Sequence, residues 1–162
     1  RKQGNHNNNQ RNEKINSIIR KGVPMALLEY VTKEAFAPFG TVIEHPDPAK
    51  GGFCVVEREE NDPWRIGIYR YSNHSIQQFE CHPYSKESFE PLKGITVLLV
   101  AEHDTPEDYH AFLLDKPICL KKGVWHQVLS LTEVAEVKIT ENLEVAAEFY
   151  DHEKPISIGT CI

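Results

Sequence analysis

No apolar run in this 162-residue chain approaches the roughly 20 residues that a membrane helix needs. The N-terminus lacks the apolar stretch of a signal peptide, so a cytoplasmic location is the expectation. Positive charge is outnumbered, with 18 Lys and Arg against 24 Asp and Glu. The net charge is −6 with no basic patch, which argues against a nucleic-acid partner. The four cysteines, Cys54, Cys81, Cys119 and Cys161, are far apart and form no Cys-x-x-Cys pair. They read as free thiols rather than a disulfide framework. What remains is an ordinary soluble acidic composition, 40% hydrophobic and long enough for one domain.

Residues 1–22 read as a polar extension. Asn5-His6-Asn7-Asn8-Asn9-Gln10 offers little to bury, although Ile15, Ile18 and Ile19 have helical spacing. Met25 is a candidate natural start, and residues 23–162 read as one globular domain. Thr32 caps a short helix that ends at Pro38, and a strand follows over Thr41–Glu44. Further strands are expected at Phe53–Val56, Trp64–Tyr71, Ile76–His82, Ile118–Leu120, Trp125–Leu131, Ala135–Thr140 and Val145–Phe149. The run Thr96–Ala101 is almost continuously apolar, as suits a central strand buried on both faces. Thr105-Pro106-Glu107-Asp108 has the composition of a helix start, which predicts a helix through Leu113. Many short strands and few helices point to a mainly β fold, best a double-stranded β-helix, or jelly roll, around a pocket.

The chemistry concentrates in Glu80-Cys81-His82-Pro83-Tyr84-Ser85-Lys86-Glu87. Side chains alternate along a strand, so Glu80 and His82 share a face and Cys81 points to the other. Pro83 breaks the strand, and Glu87 can return beside the pair. Downstream, Gly123-Val124-Trp125-His126 is a glycine turn that feeds a second imidazole into a strand. Two carboxylates and two imidazoles make either a divalent-metal site or an acid/base cluster. The plain alternative for Glu80 and His82 is a solvent-facing strand pair. Ile66, Ile68 and Arg70 fall in one phase of their strand, which places Arg70 inside the barrel or, alternatively, in a rim salt bridge. Trp125 reads as a core or pocket-wall aromatic.

Glu80-x-His82, Glu87, Gly94 and then Gly123-x-x-His126 resemble the two-part motif of the cupin superfamily, with Glu80 where histidine is usual. Several longer segments agree with one cupin family. They are Glu34-Ala35-Phe36-Ala37-Pro38-Phe39-Gly40-Thr41-Val42-Ile43-Glu44, His82-Pro83, Phe89-x-Pro91-Leu92-x-Gly94, Ala111-Phe112 and Gly123-Val124-Trp125-His126. Together they resemble the ureidoglycolate lyase family, formerly called ureidoglycolate hydrolase, from Val23 to Ile139.

That resemblance implies a cupin-like barrel, usually a homodimer, which splits ureidoglycolate into glyoxylate and urea in the breakdown of allantoin. It implies catalytic roles for Glu80, His82 and His126. A divalent metal (Ni, Mn, Zn or Fe) would sit on Glu80, His82, Glu87 and His126. The small-molecule acid substrate would meet Arg70, Lys93 and Trp125, with an exposed turn lysine as the other reading of Lys93. Two positions depart from the family. Glu87 stands where glutamine is common, and Thr140-Glu141-Asn142-Leu143 replaces an Asp-Arg pair followed by glycines. The departures keep two other expectations open: a cupin enzyme for another small hydroxy or keto acid, and a non-catalytic ligand-binding cupin.

Overall fold

A computed structural model describes residues 27–43 and 63–157. The expected strand at Phe53–Val56 and the helical spacing at Ile15–Ile19 lie outside the described residues. The described residues form eleven strands and one short helix, α1 (Lys33–Phe36). The strands are β1 (Leu28–Tyr30), β2 (Gly40–Val42), β3 (Trp64–Tyr71), β4 (Ser75–Cys81), β5 (Glu87–Lys93) and β6 (Thr96–Ala101). They continue with β7 (His110–Leu113), β8 (Ile118–Leu120), β9 (Trp125–Ser130), β10 (Ala135–Asn142) and β11 (Glu148–Ser157). Two sheets result, in the orders β1-β7-β6-β9-β4-β11 and β2-β8-β5-β10-β3. Only the β1–β7 pairing is parallel among these. This is the cupin-like, mainly β architecture that the strand spacing implies.

The main core lies between the sheets. Leu98, Val100, Phe112 and Val128 of the six-stranded sheet meet Phe89, Ile118, Leu120 and Val137 of the five-stranded one. Burying one such side chain is worth about 1.5–3 kcal/mol relative to leaving it exposed. A second cluster covers the outer face of the six-stranded sheet, with Phe79, Cys81, Leu99, Trp125 and Leu129. Strand β6 feeds both clusters, and every one of its residues is buried, as the continuous apolar run requires. Thr32 caps α1 by accepting a hydrogen bond from the Ala35 amide at 3.1 Å.

Two expectations are corrected. The segment after Thr105 makes one turn, closed by Asp108 N–H donating to the Thr105 carbonyl, and then becomes β7. Local helix signals there are overridden by pairing: Leu98 opposite Phe112 and Leu99 opposite Ala111 place the apolar residues on a sheet. At the C-terminal end the strand begins at Glu148 and runs on to Ser157, beyond the expected Phe149. It pairs antiparallel with β4 and shifts register between Asp151 and Ile156. Pro155 falls in that irregular stretch of an edge strand, where its missing N–H is tolerated.

Two connections position the site. Gly123 has φ +79°, a left-handed turn just before β9. Its amide donates to the His82 carbonyl at 2.9 Å and ties the two motifs together. Glu80 of β4 then sits directly opposite His126 of β9, and Cys81 opposite Trp125.

Candidate active site

The sheets leave a pocket of about 380 Å³, with Glu80, His82, Glu87 and His126 in its wall. Adjacent-strand pairing delivers Glu80 and His126, the Gly123 turn holds His82 beside them, and Glu87 enters from β5 on the facing sheet. His82 Nε2 is 3.2 Å from Glu87 Oε2 and 3.7 Å from Glu80 Oε1. His126 Nε2 is 2.9 Å from the same Glu87 Oε2. His82, Glu87 and His126 are buried, while Glu80 is partly open to the pocket.

The far side of each imidazole fixes its tautomer. His82 Nδ1 lies 3.1 Å from the Ala146 carbonyl and His126 Nδ1 lies 3.0 Å from the Val124 carbonyl. A carbonyl oxygen only accepts, so both Nδ1 atoms carry the proton. In the neutral ring both Nε2 atoms are then bare lone pairs aimed at Glu87 Oε2. That oxygen is buried without a donor, an arrangement too costly to persist alone. A cation must stand among these atoms, either a second proton on an imidazole or a metal ion.

The electrostatics agree. Burial pushes the Glu87 carboxyl up, but the charge and hydrogen bond of His126 and those of His82 outweigh it and hold the group down at about 2. Burial likewise opposes charging of His82. The hydrogen bond and charge of Glu87, with the Ala146 carbonyl and Glu80, raise it above its ordinary value. His126 is raised against burial chiefly by the Glu87 charge.

The donor set also suits a divalent metal. Donor atoms lie within 4.8 Å of one another in two groups that share His82, namely Glu80-His82-His126 and His82-Glu87-Glu141, and metal bonds of about 2.0–2.2 Å put neighbouring donors roughly 3.0–3.5 Å apart. Nδ1–H bonded to a backbone carbonyl with Nε2 free is the arrangement of a metal-ligating histidine. Two imidazoles and two carboxylates accept several first-row metals and select none.

Three residues expected to touch substrate are elsewhere. Arg70 is exposed on the outer face of β3, opposite Glu136, with Lys93 on the far side of that glutamate. The inward phase of β3 is the other one, and it places Arg65, Tyr69 and Tyr71 in the pocket wall. Lys93 is exposed at the end of β5. Trp125 faces the outer cluster, and its indole donates to the His103 carbonyl at 2.8 Å. Alternation along β9 requires this, because His126 takes the inner face. Cys81 lies in the outer cluster, as alternation along β4 implies, and is a free thiol.

The pocket also holds groups that the sequence did not single out. Tyr71 stacks on Tyr69 with centroids 4.3 Å apart. Burial, followed by the charge of Glu87, pushes the Tyr71 phenol far up, so it stays protonated. Glu141 of β10 pairs with Arg65, which donates to Glu141 Oε1 through Nη2 at 2.8 Å and through Nε at 3.0 Å.

The profile of the family described as "Ureidoglycolate lyase" matches residues 60–147. The chain belongs to the ureidoglycolate lyase family. The ureidoglycolate lyase 1 of Rhizobium meliloti is 30% identical over 72% of this chain and 82% of its own length. That of Burkholderia cepacia is 30% identical over 74% and 81%. That of Agrobacterium fabrum is 32% identical over 61% and 72%. The family match spans β4, β5 and β9 and includes Glu80, His82, Glu87 and His126. A dTDP sugar isomerase from Desulfovibrio desulfuricans is a distant structural neighbour, with a TM-score of 0.40 and 9% identity over 74% of this chain and 82% of that one.

In metal-free protein the cluster has a definite pH signature. The lowered Glu87 carboxyl stabilises the fold above its unfolded value of about 4.3, and this is lost as pH falls toward 2. The raised imidazoles stabilise it below about 6.5, and this is lost as pH climbs through their folded values. Thermal unfolding in chelator should therefore peak between about pH 4.5 and 6.5. Glu87→Gln should flatten both limbs, whereas an unchanged profile in that variant would place the charge coupling elsewhere.

Proposed function

We propose that this chain is an enzyme that cleaves ureidoglycolate to glyoxylate and urea. The carrying observation is the convergence of Glu80, His82, Glu87 and His126 on one pocket in a chain of this family. The substrate is a 2-hydroxy acid whose hydroxyl and urea nitrogen share one carbon. Its cleavage removes the hydroxyl proton, forms the aldehyde carbonyl, breaks the carbon–nitrogen bond and returns a proton to the nitrogen. Those proton transfers call for a base and an acid held in opposite protonation states.

Glu80 is the base in this reading. It is the carboxylate of the cluster with access to the pocket, and it takes the hydroxyl proton. His82, whose imidazole is held protonated beside Glu87, is the acid toward the departing urea nitrogen, and the Tyr71 phenol in the same wall stays protonated and donates a hydrogen bond. His82, His126 and Glu87 hold the positive charge that faces the developing glyoxylate oxygens. Together with Glu80 they are also the residues that would hold a divalent metal. When bound, such a metal lowers the pKa of the substrate hydroxyl and polarises its oxygens. A cytoplasmic location fits this chemistry.

The assay is the purified protein with ureidoglycolate, following glyoxylate and urea. Equal yields of the two, without ammonia, are expected. Glu80→Gln should lower kcat by on the order of 10²–10⁴-fold. Ammonia release in place of urea, or no glyoxylate, would contradict the lyase reading.

We also propose that the chain works as a homodimer through the outer face of β3. That face exposes Trp64, Ile66 and Ile68 to 65%, 57% and 65% on an edge strand of the five-stranded sheet. A second copy is the expected cover for so apolar an edge. Light scattering should give twice the chain mass, and Ile68→Glu should return the mass of one chain. A monomer mass for the unmodified protein at micromolar concentration would refute it.

A further inference from the structure

Three carboxylates, those of Glu80, Glu87 and Glu141, face the pocket, and an acid substrate adds a fourth. Among the described residues lining it, Arg65 alone carries a permanent positive charge. Sheet register explains its position. Arg65 of β3 lies directly opposite Glu141 of β10, and Glu141 lies directly opposite Glu87 of β5. One row across the sheet therefore runs from the cation at the rim, through Glu141, to the buried cluster. Carboxylate and imidazole atoms of Glu141, His82 and Glu87 come within 4.8 Å of one another. Glu141 thus spans the gap between Arg65 and the reacting cluster. A 2-hydroxy acid would span the same gap, with its carboxylate at Arg65 and its hydroxyl toward the cluster.

The contact between Arg65 and Glu141 is built for exchange. Arg65 Nη2 and Nε both converge on one oxygen, Glu141 Oε1, at 2.8 and 3.0 Å. The planar fork is therefore only half used, since a carboxylate presenting both oxygens would engage it bidentately. The Arg65 side chain is 51% exposed and that of Glu141 15%, so the pair is open to solvent from the arginine side. A small acid arriving from that side can therefore compete with Glu141 for the guanidinium. Arg70, the guanidinium that sequence phase favoured, is on the other face of the strand.

We propose that Arg65 selects an acid substrate and that Glu141 holds its place until the substrate carboxylate takes over. This rests on the lyase reading for the identity of the acid, but not for the recognition itself. The test is calorimetric binding of glycolate and of its neutral amide, glycolamide, to the full chain. The unmodified protein should prefer glycolate by about tenfold or more, and Arg65→Gln should abolish most of that preference. Glu141→Gln frees the guanidinium and removes a repelling charge, so it should tighten glycolate several-fold. With ureidoglycolate, Arg65→Gln should raise KM far more than it lowers kcat, and Arg65→Lys should recover part of the loss.

No preference for glycolate in the unmodified protein, a wild-type preference in Arg65→Gln, or weaker glycolate binding in Glu141→Gln would each overturn the proposal. The two readings separate cleanly. Turnover of ureidoglycolate with an unchanged KM in Arg65→Gln would sink the role of Arg65 and leave the lyase standing. Absence of turnover with an Arg65-dependent preference for glycolate would do the reverse.

Discussion

Glu87 Oε2, buried between two imidazole nitrogens, is the constraint on which the site depends. With both Nδ1 protons committed to backbone carbonyls, the bare Nε2 atoms and the carboxylate repel unless positive charge joins them. A buried ionic group survives only with its partners complete. The surrounding structure supplies that completeness from four directions. Strands β4 and β9 pair to bring Glu80 against His126, the Gly123 turn holds the His82 backbone, the Ala146 carbonyl orients its ring, and β5 inserts Glu87 from the facing sheet.

The same constraint links fold to chemistry. A demand for positive charge in a buried cluster can be met by a proton on an imidazole or by a divalent metal. Either form presents an oxygen-rich substrate with charge already oriented, so little reorganisation is needed during reaction. The partly exposed Glu80 and the protonated Tyr71 face the same space, one a carboxylate acceptor and the other a hydrogen-bond donor. Arg65 and Glu141 extend the charge pattern outward to the rim, where an acid would first be met.

Much of this was legible in the sequence. The alternation of Glu80 and His82, the proline break before Glu87 and the glycine turn before His126 encode geometry locally, and the apolar run at β6 encodes burial. The phase of β3 was not legible. Ile66 and Ile68 make the phase of Arg70 look inward, yet Arg65, Tyr69 and Tyr71 line the pocket, because what decides is the register with β10 and not hydrophobicity. Trp125 is a core aromatic, one of the two places its type allowed: the sheet buries its outer face too, so an apolar aromatic beside His126 need not line the pocket. The Ala146 carbonyl and the Glu141 pairing arise from contacts far apart in the chain, for which no local pattern exists. The helix expected after Thr105 had good local signals and lost to long-range pairing with β6.

The charge balance around Glu87 is set by the protonation of two rings. Nitrogen-15 NMR of His82 and His126 in chelator-treated protein, before and after one equivalent of Zn²⁺, reads it. Both Nδ1 atoms should carry a proton throughout, and without metal at least one ring should also carry a proton on Nε2, which a bound metal would displace. Bare Nδ1 atoms, or two unprotonated Nε2 atoms in the metal-free protein, would contradict the demand for positive charge beside Glu87.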